Sequence, residues 1–512
     1  MNMKKILWVM VVSLLVVTVT ASFVFADCFT VLVGKDASVD GAVMWGHNEQ
    51  NGGQRIVNYR VVPRMKFGPS DVVTLRAGGT LPEAEETFSF IWLENPGISF
   101  SDAYFNEWGV ATGSDGCGTR EDSYDELVER GDIVDGGIEY MLRRIVAQRA
   151  KTSREGVKIA GELLDRFGYA ASGRSLMIVD ANEAWVLSMV RGKHWMAQRV
   201  PDDEVVLLPN VHVIQEIDLE DTDNFIGSPD VIDYAIERGW YDPASGKAFS
   251  FREAYNRIPK EGSFLDIYGC DPRQWYAQSM ILGKLIELPV KEHLPFSIKP
   301  PNKLSVQDVA SILGSHLDGT EFDATENPTG PHAVERSGLA RSICGPRTQE
   351  AAVYQLRNWM PKEIGSLVWR TTTARCSGVL VPWYLGITET PESYYKPWDM
   401  EEQLKVTHHF DPPAGTFDFD PEFAFFAFNA VENLVQLNYE KGMEIARAVW
   451  DPFEAEQFAI QSTIEEVALK LLAEDEALAK QFLTSYTNSR ALQAVDLANE
   501  LAKELKTLFW AG

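Results

Sequence analysis

The sequence predicts an α+β fold with antiparallel sheets, and three features of the chain support this prediction. A strand hairpin near the start, two amphipathic helices around residue 150 and a meander of strands after residue 175 follow one another. They do not alternate in the strand–helix–strand order of a parallel, doubly wound sheet. The chain has 512 residues, is 45% hydrophobic and contains 14 Trp and 26 Phe, which is enough for one large domain or two.

The hairpin is the first predicted element. A β-favouring run at 29–33, a turn rich in Lys, Asp, Ser and Gly, and a second apolar run at 42–45 form its sequence pattern. If the turn centres near Ser38, Cys28 lies across from about Asn48, within a residue or two. The residues around Asn48 are therefore expected beside Cys28.

Two helices are predicted next. Apolar residues at helical spacing between Ile138 and Val146 indicate the first one. Thr152 and Glu155 have the spacing of a capping box at the start of the second helix, and Gly168 is expected to end it.

The meander and the C-terminal part complete the predicted fold. Strands are predicted at 176–179, 184–190, 195–200 and 205–208, the last of them running into Pro209-Asn210. From Pro421 onward the apolar pattern becomes helical. We therefore expect a main domain over 28–420 and a helical region over 421–512 that packs on it.

The N-terminus has the pattern of a secretory signal peptide over residues 1–26. Lys4 and Lys5 form its basic start, an apolar run follows, and Ala26 ends a small-residue cleavage site. The alternative is an uncleaved membrane anchor, since the apolar run is long enough to span a bilayer. Asp27, directly before Cys28, argues against a lipoprotein. The expected location is secreted or periplasmic, with no membrane association after cleavage.

The charge of the chain narrows the class of partner. The formal net charge is −27, so the surface repels nucleic acid and anionic lipid. A small molecule or a peptide is therefore the expected substrate, and no nucleic-acid partner is expected. The oligomeric state is left open.

Cysteines and histidines give no metal pattern in the linear sequence. There are five cysteines, an odd number, so at least one thiol is unpaired if the chain is exported. If Cys28 is that one, up to two disulfides can form among the others, with the pairing left open: Cys117, Cys270, Cys344 and Cys376. No CxxC occurs, and the spacings match no zinc pattern.

Other common catalytic patterns are also missing from the sequence. The pair His408-His409 has no carboxylate and further histidine nearby at the spacing of metal ligands. It is therefore expected at the surface rather than in a metal site. The chain contains no G-x-S-x-G, H-E-x-x-H or G-x-x-x-x-G-K-[ST] sequence. We therefore expect no metal and no cofactor.

Cys28 is the candidate with the clearest chemistry. As the first residue of a processed chain it would carry a thiol and a free α-amine, whose pKa is about 7.7 to 8.0 in model peptides. That amine can take the proton of the thiol and later return it to a leaving group. The alternative is an ordinary buried cysteine at the start of a strand.

Several blocks of the sequence resemble one enzyme family. "CFTVLVGKDASVDGAVMWGHNE", which begins at Cys28, looks like the start of the peptidase family C69 dipeptidases, which are N-terminal nucleophile (Ntn) hydrolases. Similar blocks follow in order along nearly the whole chain: 101–117, 194–210, 223–243, 341–365 and 381–388. The resemblance is looser in the C-terminal helices.

This resemblance implies a fold and two catalytic residues. The fold is the Ntn αββα sandwich, in which two antiparallel sheets pack face to face between outer helices. Cys28 would be the nucleophile, and Asn210, at a strand end, would help to form the oxyanion hole. Cys28 must then become the first residue, either by self-cleavage after Asp27 or by a signal cut shifted by one residue.

The resemblance also implies supporting residues, with one departure. Related acylases place an arginine and an aspartate at the end of the second strand, where this chain has His47 and Gln50 on either side of Asn48. At these two positions the chain departs from the acylase pattern that holds the α-amine. Asn106 and Asp115 are weaker candidates for the site, and Asn106 begins a sequence that favours a tight turn.

The expected function is therefore an exported cysteine dipeptidase acting on dipeptides or other small amides. Two alternatives remain at this stage. One is an acyl-amide hydrolase of the penicillin V or bile-salt type on the same scaffold, which differs in pocket shape. The other is a non-catalytic exported binding protein, which the presence of Gln50 favours.

Overall fold

The computed structural model describes residues 27–53, 55–327, 330–332 and 340–510. The predicted signal peptide, 1–26, lies outside the described residues. Across the described ranges, no helix combines the length and apolar character needed to span a membrane.

Two antiparallel sheets form the centre of the molecule. Within the described ranges the first sheet has seven strands, in spatial order β16 (Ser297–Ile298), β14 (Val205–Leu208), β1 (Phe29–Val33), β2 (Val43–Gln50), β17 (Thr348–Leu356), β18 (Ser366–Thr372) and β19 (Val381–Tyr384). The second has eight, in the order β15 (Phe225–Gly227), β13 (Trp195–Arg199), β12 (Ala184–Met189), β11 (Arg174–Val179), β10 (Ala111–Gly116), β9 (Ala103–Asn106), β8 (Phe90–Glu94) and β3 (Asn58–Val62). Two small ribbons pair β4 (Met65–Lys66) with β7 (Glu86–Thr87), and β5 (Val72–Thr74) with β6 (Thr80–Pro82).

The α-helices lie between and after these strands along the chain. Those before the C-terminal region are α1 (Tyr124–Arg130), α2 (Met141–Arg149), α3 (Ser153–Phe167), α4 (Val231–Glu237), α5 (Phe251–Tyr255), α6 (Phe264–Tyr268), α7 (Pro272–Leu282), α8 (Val306–Leu313), α9 (Lys362–Gly365), α10 (Met400–Gln403) and α11 (Val406–Phe410). The C-terminal ones are α12 (Ala424–Val435), α13 (Tyr439–Glu474) and α14 (Glu476–Trp510).

The alternation of side chains along β2 shows how the layers stack. Trp45 points toward the second sheet, where a Cβ added at Gly113 would collide with its ring. The next residue, Gly46, faces the opposite way and lies under Val309 of α8. Since successive strand residues point to opposite faces, β2 is covered by a sheet on one side and by a helix on the other. Helices α2 and α3 pack on the second sheet in the same way, so the predicted αββα sandwich is confirmed.

The predicted hairpin and meander are confirmed with small shifts of their ends. In the hairpin Phe29 pairs with Asn48, so the position next to Cys28 on β2 is Glu49. The meander strands begin or end within two residues of the predicted limits, because its turns contain the expected polar residues.

The second predicted helix begins and ends as expected, but its capping differs. The Thr152 hydroxyl accepts a hydrogen bond from the Glu155 backbone N–H at 3.1 Å, and Gly168 is the C-cap. The Glu155 carboxylate accepts from the Lys151 N–H at 2.7 Å. In a capping box the Glu155 carboxylate would accept from the backbone N–H of Thr152, but here it accepts from the residue before Thr152.

The expectation that His408-His409 lies at the surface is wrong for His409. Its ring is fully buried, with Nδ1 3.3 Å from a carboxylate oxygen of Glu94 and Nε2 2.8 Å from the Ile98 carbonyl. Both ring nitrogens therefore hold α11 against the end of β8. Only the tertiary fold brings these partners to the histidine.

The C-terminal helices pack on the first sheet. Helix α12 contacts β18, and α13 and α14 contact β19. A buried ion pair joins the two parts: the Arg357 guanidinium, just after β17, donates to both carboxylate oxygens of Glu465 on α13, at 2.9 and 2.5 Å.

Candidate active site

Cys28 directly precedes the first residue of β1 and lies between the two strands that flank β1. Phe29 pairs with Asn48 on β2, so the next position of this antiparallel pairing puts Glu49 opposite Cys28. Thr30 pairs with Leu208 on β14, so two positions further along Asn210 lies opposite Cys28 on the other side. The side chain of Cys28 is completely buried. The strand pairing thus brings together three polar side chains that are far apart in the chain.

The Cys28 thiol contacts Glu49 directly. Its Sγ lies 3.3 Å from Glu49 Oε1 and 3.8 Å from the Gln50 carbonyl oxygen. Burial, followed by the charges of Glu49 and Asp115, raises the pKa of Cys28 well above the usual value for a thiol. The thiol is therefore neutral while Asp27 precedes it, and it donates its hydrogen to the carboxylate.

Glu49 was not among the predicted site residues. Burial raises the pKa of its carboxyl to about 7, although His47 and the amide of Asn51, at 2.7 Å, act in the opposite direction. Its position was accessible from the sequence, because the hairpin register that places Phe29 opposite Asn48 puts Glu49 beside Cys28. A carboxyl with this pKa can both hold and release a proton near neutrality.

His47 and Asp115 form a buried pair beside the cysteine. His47 Nε2 lies 2.9 Å from Asp115 Oδ1, and both side chains are almost entirely enclosed. Burial alone lowers the pKa of His47, but the hydrogen bond and charge of Asp115 outweigh it and raise that pKa. A ring nitrogen of His47, a carboxylate oxygen of Asp115 and the sulfur of Cys28 all lie within 4.8 Å of one another. The structure therefore brings both predicted residues to Cys28.

Asn210 presents an amide near the same point. Its Nδ2 donates one hydrogen bond to the Gly116 carbonyl at 2.9 Å, while its buried Oδ1 has no hydrogen-bond partner among the described residues. Since an amide nitrogen has two hydrogens, one remains for another acceptor.

Asn48 and Gln50 use their side chains to hold a loop. The Asn48 amide donates to the carbonyls of Leu313 and Ile343, at 2.8 and 3.0 Å, and Gln50 Nε2 donates to Ile343 O at 2.6 Å. These two predicted residues thus fix residues 340–347 over the end of β2. Gln50 meets the cysteine only through its backbone carbonyl.

Asn106 is engaged in a turn. Its Oδ1 accepts from the N–H groups of Trp108 and Val110, both at 3.0 Å, and its amide donates to the carbonyls of Ala147 and Ala150. Asn106 thus forms the tight turn that its sequence favoured. Its side chain joins the β9–β10 turn to the end of α2.

Asp27 is bound by arginines on both its carbonyl and its side chain. Arg273 donates to the Asp27 carbonyl oxygen at 2.8 Å and is itself held by the carboxylate of Asp271. The Asp27 carboxylate pairs with Arg341 and, at 3.3 Å, with Arg347. Sequence reasoning missed all three arginines, because they lie far from Asp27 along the chain and no local pattern marks them.

A small pocket opens at Asp27. Its volume is about 100 Å³, and it is lined by residues of the N-terminus, the end of β2 and the loop that Asn48 and Gln50 hold: Asp27, Gln50, Ala324, Pro331, Ala340, Arg341, Ser342, Gly345, Pro346 and Arg347. The pocket therefore lies next to Cys28 and has a cationic side.

Comparison with known proteins identifies the family. The family model described as "Peptidase family C69" matches residues 27–450. The chain belongs to peptidase family C69. A curated relative from Bifidobacterium longum (strain NCC 2705), named "Dipeptidase", is 31% identical over 398 residues, which cover 71% of this chain and 72% of the relative. One from Latilactobacillus sakei, named "Probable dipeptidase", is 29% identical over 382 residues, covering 72% and 76%.

Solved structures similar to this C69 chain include two variants of a conjugated bile acid hydrolase from Clostridium perfringens. They share 10% and 9% sequence identity with it, with TM-scores of 0.28 and 0.27. The matches cover 68% and 67% of this chain and 89% of each bile acid hydrolase chain.

Proposed function

We propose that this C69 chain is an exported cysteine dipeptidase whose nucleophile is the Cys28 sulfur. The observation that carries the proposal is the placement of Cys28 between Glu49 and Asn210, beside a pocket in which arginines bind a carboxylate. Family membership and the names of the relatives support peptide hydrolysis. Export rests on the pattern of residues 1–26.

The first reaction in this proposal is removal of Asp27 by self-cleavage. Cys28 Sγ attacks the Asp27 carbonyl carbon while Glu49 accepts the thiol proton at 3.3 Å. Arg273, which donates to the Asp27 carbonyl oxygen, stabilises the negative charge that develops there. Glu49 passes this proton to the Cys28 nitrogen, which leaves as an amine, and water then hydrolyses the thioester, which restores the thiol and releases the segment that ends at Asp27 as a carboxylic acid.

The second reaction is hydrolysis of a dipeptide. The new α-amine of Cys28 takes the thiol proton, Sγ attacks the peptide carbonyl, and the free amide hydrogen of Asn210 is directed at the oxyanion. The amine passes its proton to the leaving amino group, and water hydrolyses the thioester to free the enzyme. The buried pair of His47 and Asp115 lies beside the sulfur during these steps.

The pocket favours an anionic substrate. Removal of Asp27 frees Arg341 of the carboxylate it binds, and the α-carboxylate of a dipeptide has the same chemistry. A substrate with a free carboxylate, such as a dipeptide, therefore suits this site.

The test combines intact mass, N-terminal sequencing and hydrolysis assays on protein exported from a host that processes signal peptides. We expect a chain that begins at Cys28 and hydrolyses dipeptides. Cys28→Ala should retain Asp27 and lose hydrolysis by at least about a thousandfold, since the nucleophile is absent. Cys270→Ser, which changes another buried thiol, should be processed and active.

Two results would overturn the proposal. Full dipeptidase activity in Cys28→Ala would remove Cys28 from the mechanism. Turnover of acyl amides without any turnover of dipeptides would assign the site to the acyl-amide hydrolase alternative.

A further inference from the structure

A second cluster of cysteines and histidines lies outside the Cys28 site. Two connections bring its members together: His316, His332 and Cys344 lie between α8 and β17, and Cys376 lies between β18 and β19. One possible ligand atom from each lies within 4.8 Å of the other three. Three of the four residues are buried, and Cys376 is half-buried.

The distances within this cluster fit four ligands of one ion. His316 Nε2 lies 3.1 Å from His332 Nε2, and Cys376 Sγ lies 3.8 Å from His332 Nε2. In tetrahedral zinc sites, bond lengths of about 2.0–2.1 Å to nitrogen and 2.3 Å to sulfur separate the ligand atoms by about 3.3–3.8 Å. The four side chains therefore need only small shifts to enclose a zinc ion.

The surroundings of His332 orient it for this role. Its Nδ1 lies 3.3 Å from a carboxylate oxygen of Glu432, and its backbone N–H donates to the Gln436 side chain at 2.9 Å. When Nδ1–H donates to a carboxylate, the neutral ring presents a lone pair at Nε2, the atom that faces the cluster. Metal-binding histidines characteristically have such a carboxylate partner.

We propose that His316, His332, Cys344 and Cys376 bind one zinc ion as a structural site. Two thiolates and two imidazoles form a donor set that zinc prefers, and four protein ligands leave no position for a substrate or water. The ion takes no part in the chemical steps of the proposed dipeptidase reaction. His316 and His332 are 16 residues apart in the sequence, and His332 and Cys376 are 44 residues apart. Spacings this long form no linear zinc pattern.

The ion would fix the wall of the Cys28 pocket. Cys344 follows Ile343, whose carbonyl accepts from both Asn48 and Gln50, and it lies in the same loop as Arg341. Glu432 belongs to α12, so the His332 contact extends the tether to the C-terminal helices. One ion would thus join the pocket loop, the β18–β19 turn and the helical region.

A disulfide between Cys344 and Cys376 is the competing outcome. The two sulfurs lie within 4.8 Å of each other, and an exported protein meets oxidising conditions. Zinc needs both sulfurs as thiolates, so the disulfide and the metal site exclude each other.

The test measures metal content on the full chain, purified without a polyhistidine tag and dialysed against zinc and then against buffer. We expect close to one zinc per chain by elemental analysis and by native mass spectrometry. Cys344→Ser and His316→Ala should lower this to below about one tenth of an equivalent, since each removes a ligand. Cobalt in place of zinc should give the intense visible bands of a tetrahedral site with thiolate ligands.

Matched controls locate the ion. Cys28→Ser and Cys270→Ser should keep the zinc, because neither residue belongs to the cluster. If a cluster variant fails to fold, the wild-type protein answers the question: a strong chelator should remove the zinc and lower the Tm, and added zinc should restore it.

Three outcomes would overturn the proposal. The first is a chain without zinc that retains five free thiols. The second is a mass lower by two hydrogens, which would show the Cys344–Cys376 disulfide instead. The third is zinc that remains in Cys344→Ser but is lost from Cys28→Ser, which would place the ion at Cys28, His47 and Asp115.

Discussion

At the scale of single residues, the chemistry of Cys28 depends on what precedes it. With Asp27 attached, no α-amine exists at Cys28, and the group that contacts the thiol is the Glu49 carboxylate. Burial raises the pKa of Glu49 to about 7, which suits a base that acts near neutrality. In the proposed mechanism, Glu49 is therefore the base for self-cleavage, and the new α-amine of Cys28 is the base for hydrolysis.

Glu49→Gln should slow self-cleavage and change its pH dependence. The carboxyl must be unprotonated to accept the thiol proton, so the wild-type rate should rise as the pH increases through about 7. The amide cannot accept that proton, and the variant should be slower by about a hundredfold or more, with no inflection near this pH. The measurement follows precursor mass with time after a jump from pH 5 to pH values between 5.5 and 8.5.

Glu500→Gln is the matched control for this prediction. Glu500 is an exposed residue of α14 paired with Lys503, so its variant should keep the wild-type profile. A Glu49→Gln chain that retained both the rate and the inflection would exclude Glu49 as the base.

At the scale of elements, the loop over residues 340–347 determines the shape of the pocket. It contributes two arginines to the Asp27 carboxylate, and Asn48 and Gln50 hold it at the Ile343 carbonyl. The shape of the pocket thus depends on the end of β2, which is distant from this loop in the sequence.

Arg341→Ala should weaken binding of substrates that carry a free carboxylate. Hydrogen bonds to charged groups contribute about 1.5–3 kcal/mol, so KM for a dipeptide should rise about tenfold or more with little change in kcat. KM for the corresponding dipeptide amide should not change, because it lacks the carboxylate. Arg76→Ala, at an exposed arginine paired with Glu139, should leave both constants as in wild type. Equal losses for acid and amide would show that Arg341 supports the fold rather than the substrate.

Asn48→Ala should destabilise the protein by releasing the pocket loop. The substitution removes two hydrogen bonds to the carbonyls of Leu313 and Ile343, which should lower the free energy of unfolding by about 1–3 kcal/mol. Asn433→Ala removes only an exposed amide contact to Asn429 and should have a small effect. Urea unfolding of both variants measures the difference, and equal stabilities would contradict the anchoring role.

At the scale of the whole molecule, the C-terminal helices are joined to the sandwich by buried charge. Arg357 and Glu465 are less than one tenth exposed and pair through two hydrogen bonds. In such a pair, loss of one partner leaves the other charge buried and uncompensated.

Arg357→Ala should therefore lower the free energy of unfolding by about 3–5 kcal/mol. The double variant Arg357→Met/Glu465→Leu should recover much of this loss, because it leaves no buried charge. Lys503→Met breaks an exposed ion pair and should cost less than about 1 kcal/mol. Denaturant unfolding would test all three, and a double variant no more stable than Arg357→Ala would contradict the electrostatic explanation.

Much of the sandwich could be predicted because its signals are local. The hairpin turn fixes the register of β1 and β2, and that register alone puts Glu49 next to Cys28. The resemblance to family C69 pointed to Asn210 and to the neighbourhood of His47. The surface position expected for His409 was wrong, since a two-residue pattern contains no information about Glu94 or Ile98.

The sequence by itself determined the fold class, the family and the position of Cys28 at the end of the first strand, because periodicity, turn residues and motif blocks act within short stretches. Only the tertiary structure decided which charges surround that cysteine. Arg273 reaches Asp27 from the start of α7 and Arg341 from the loop before β17, and His316 meets Cys376 from a different connection of the chain. Such contacts arise from the packing of the two sheets and their helices, and no spacing along the chain encodes them.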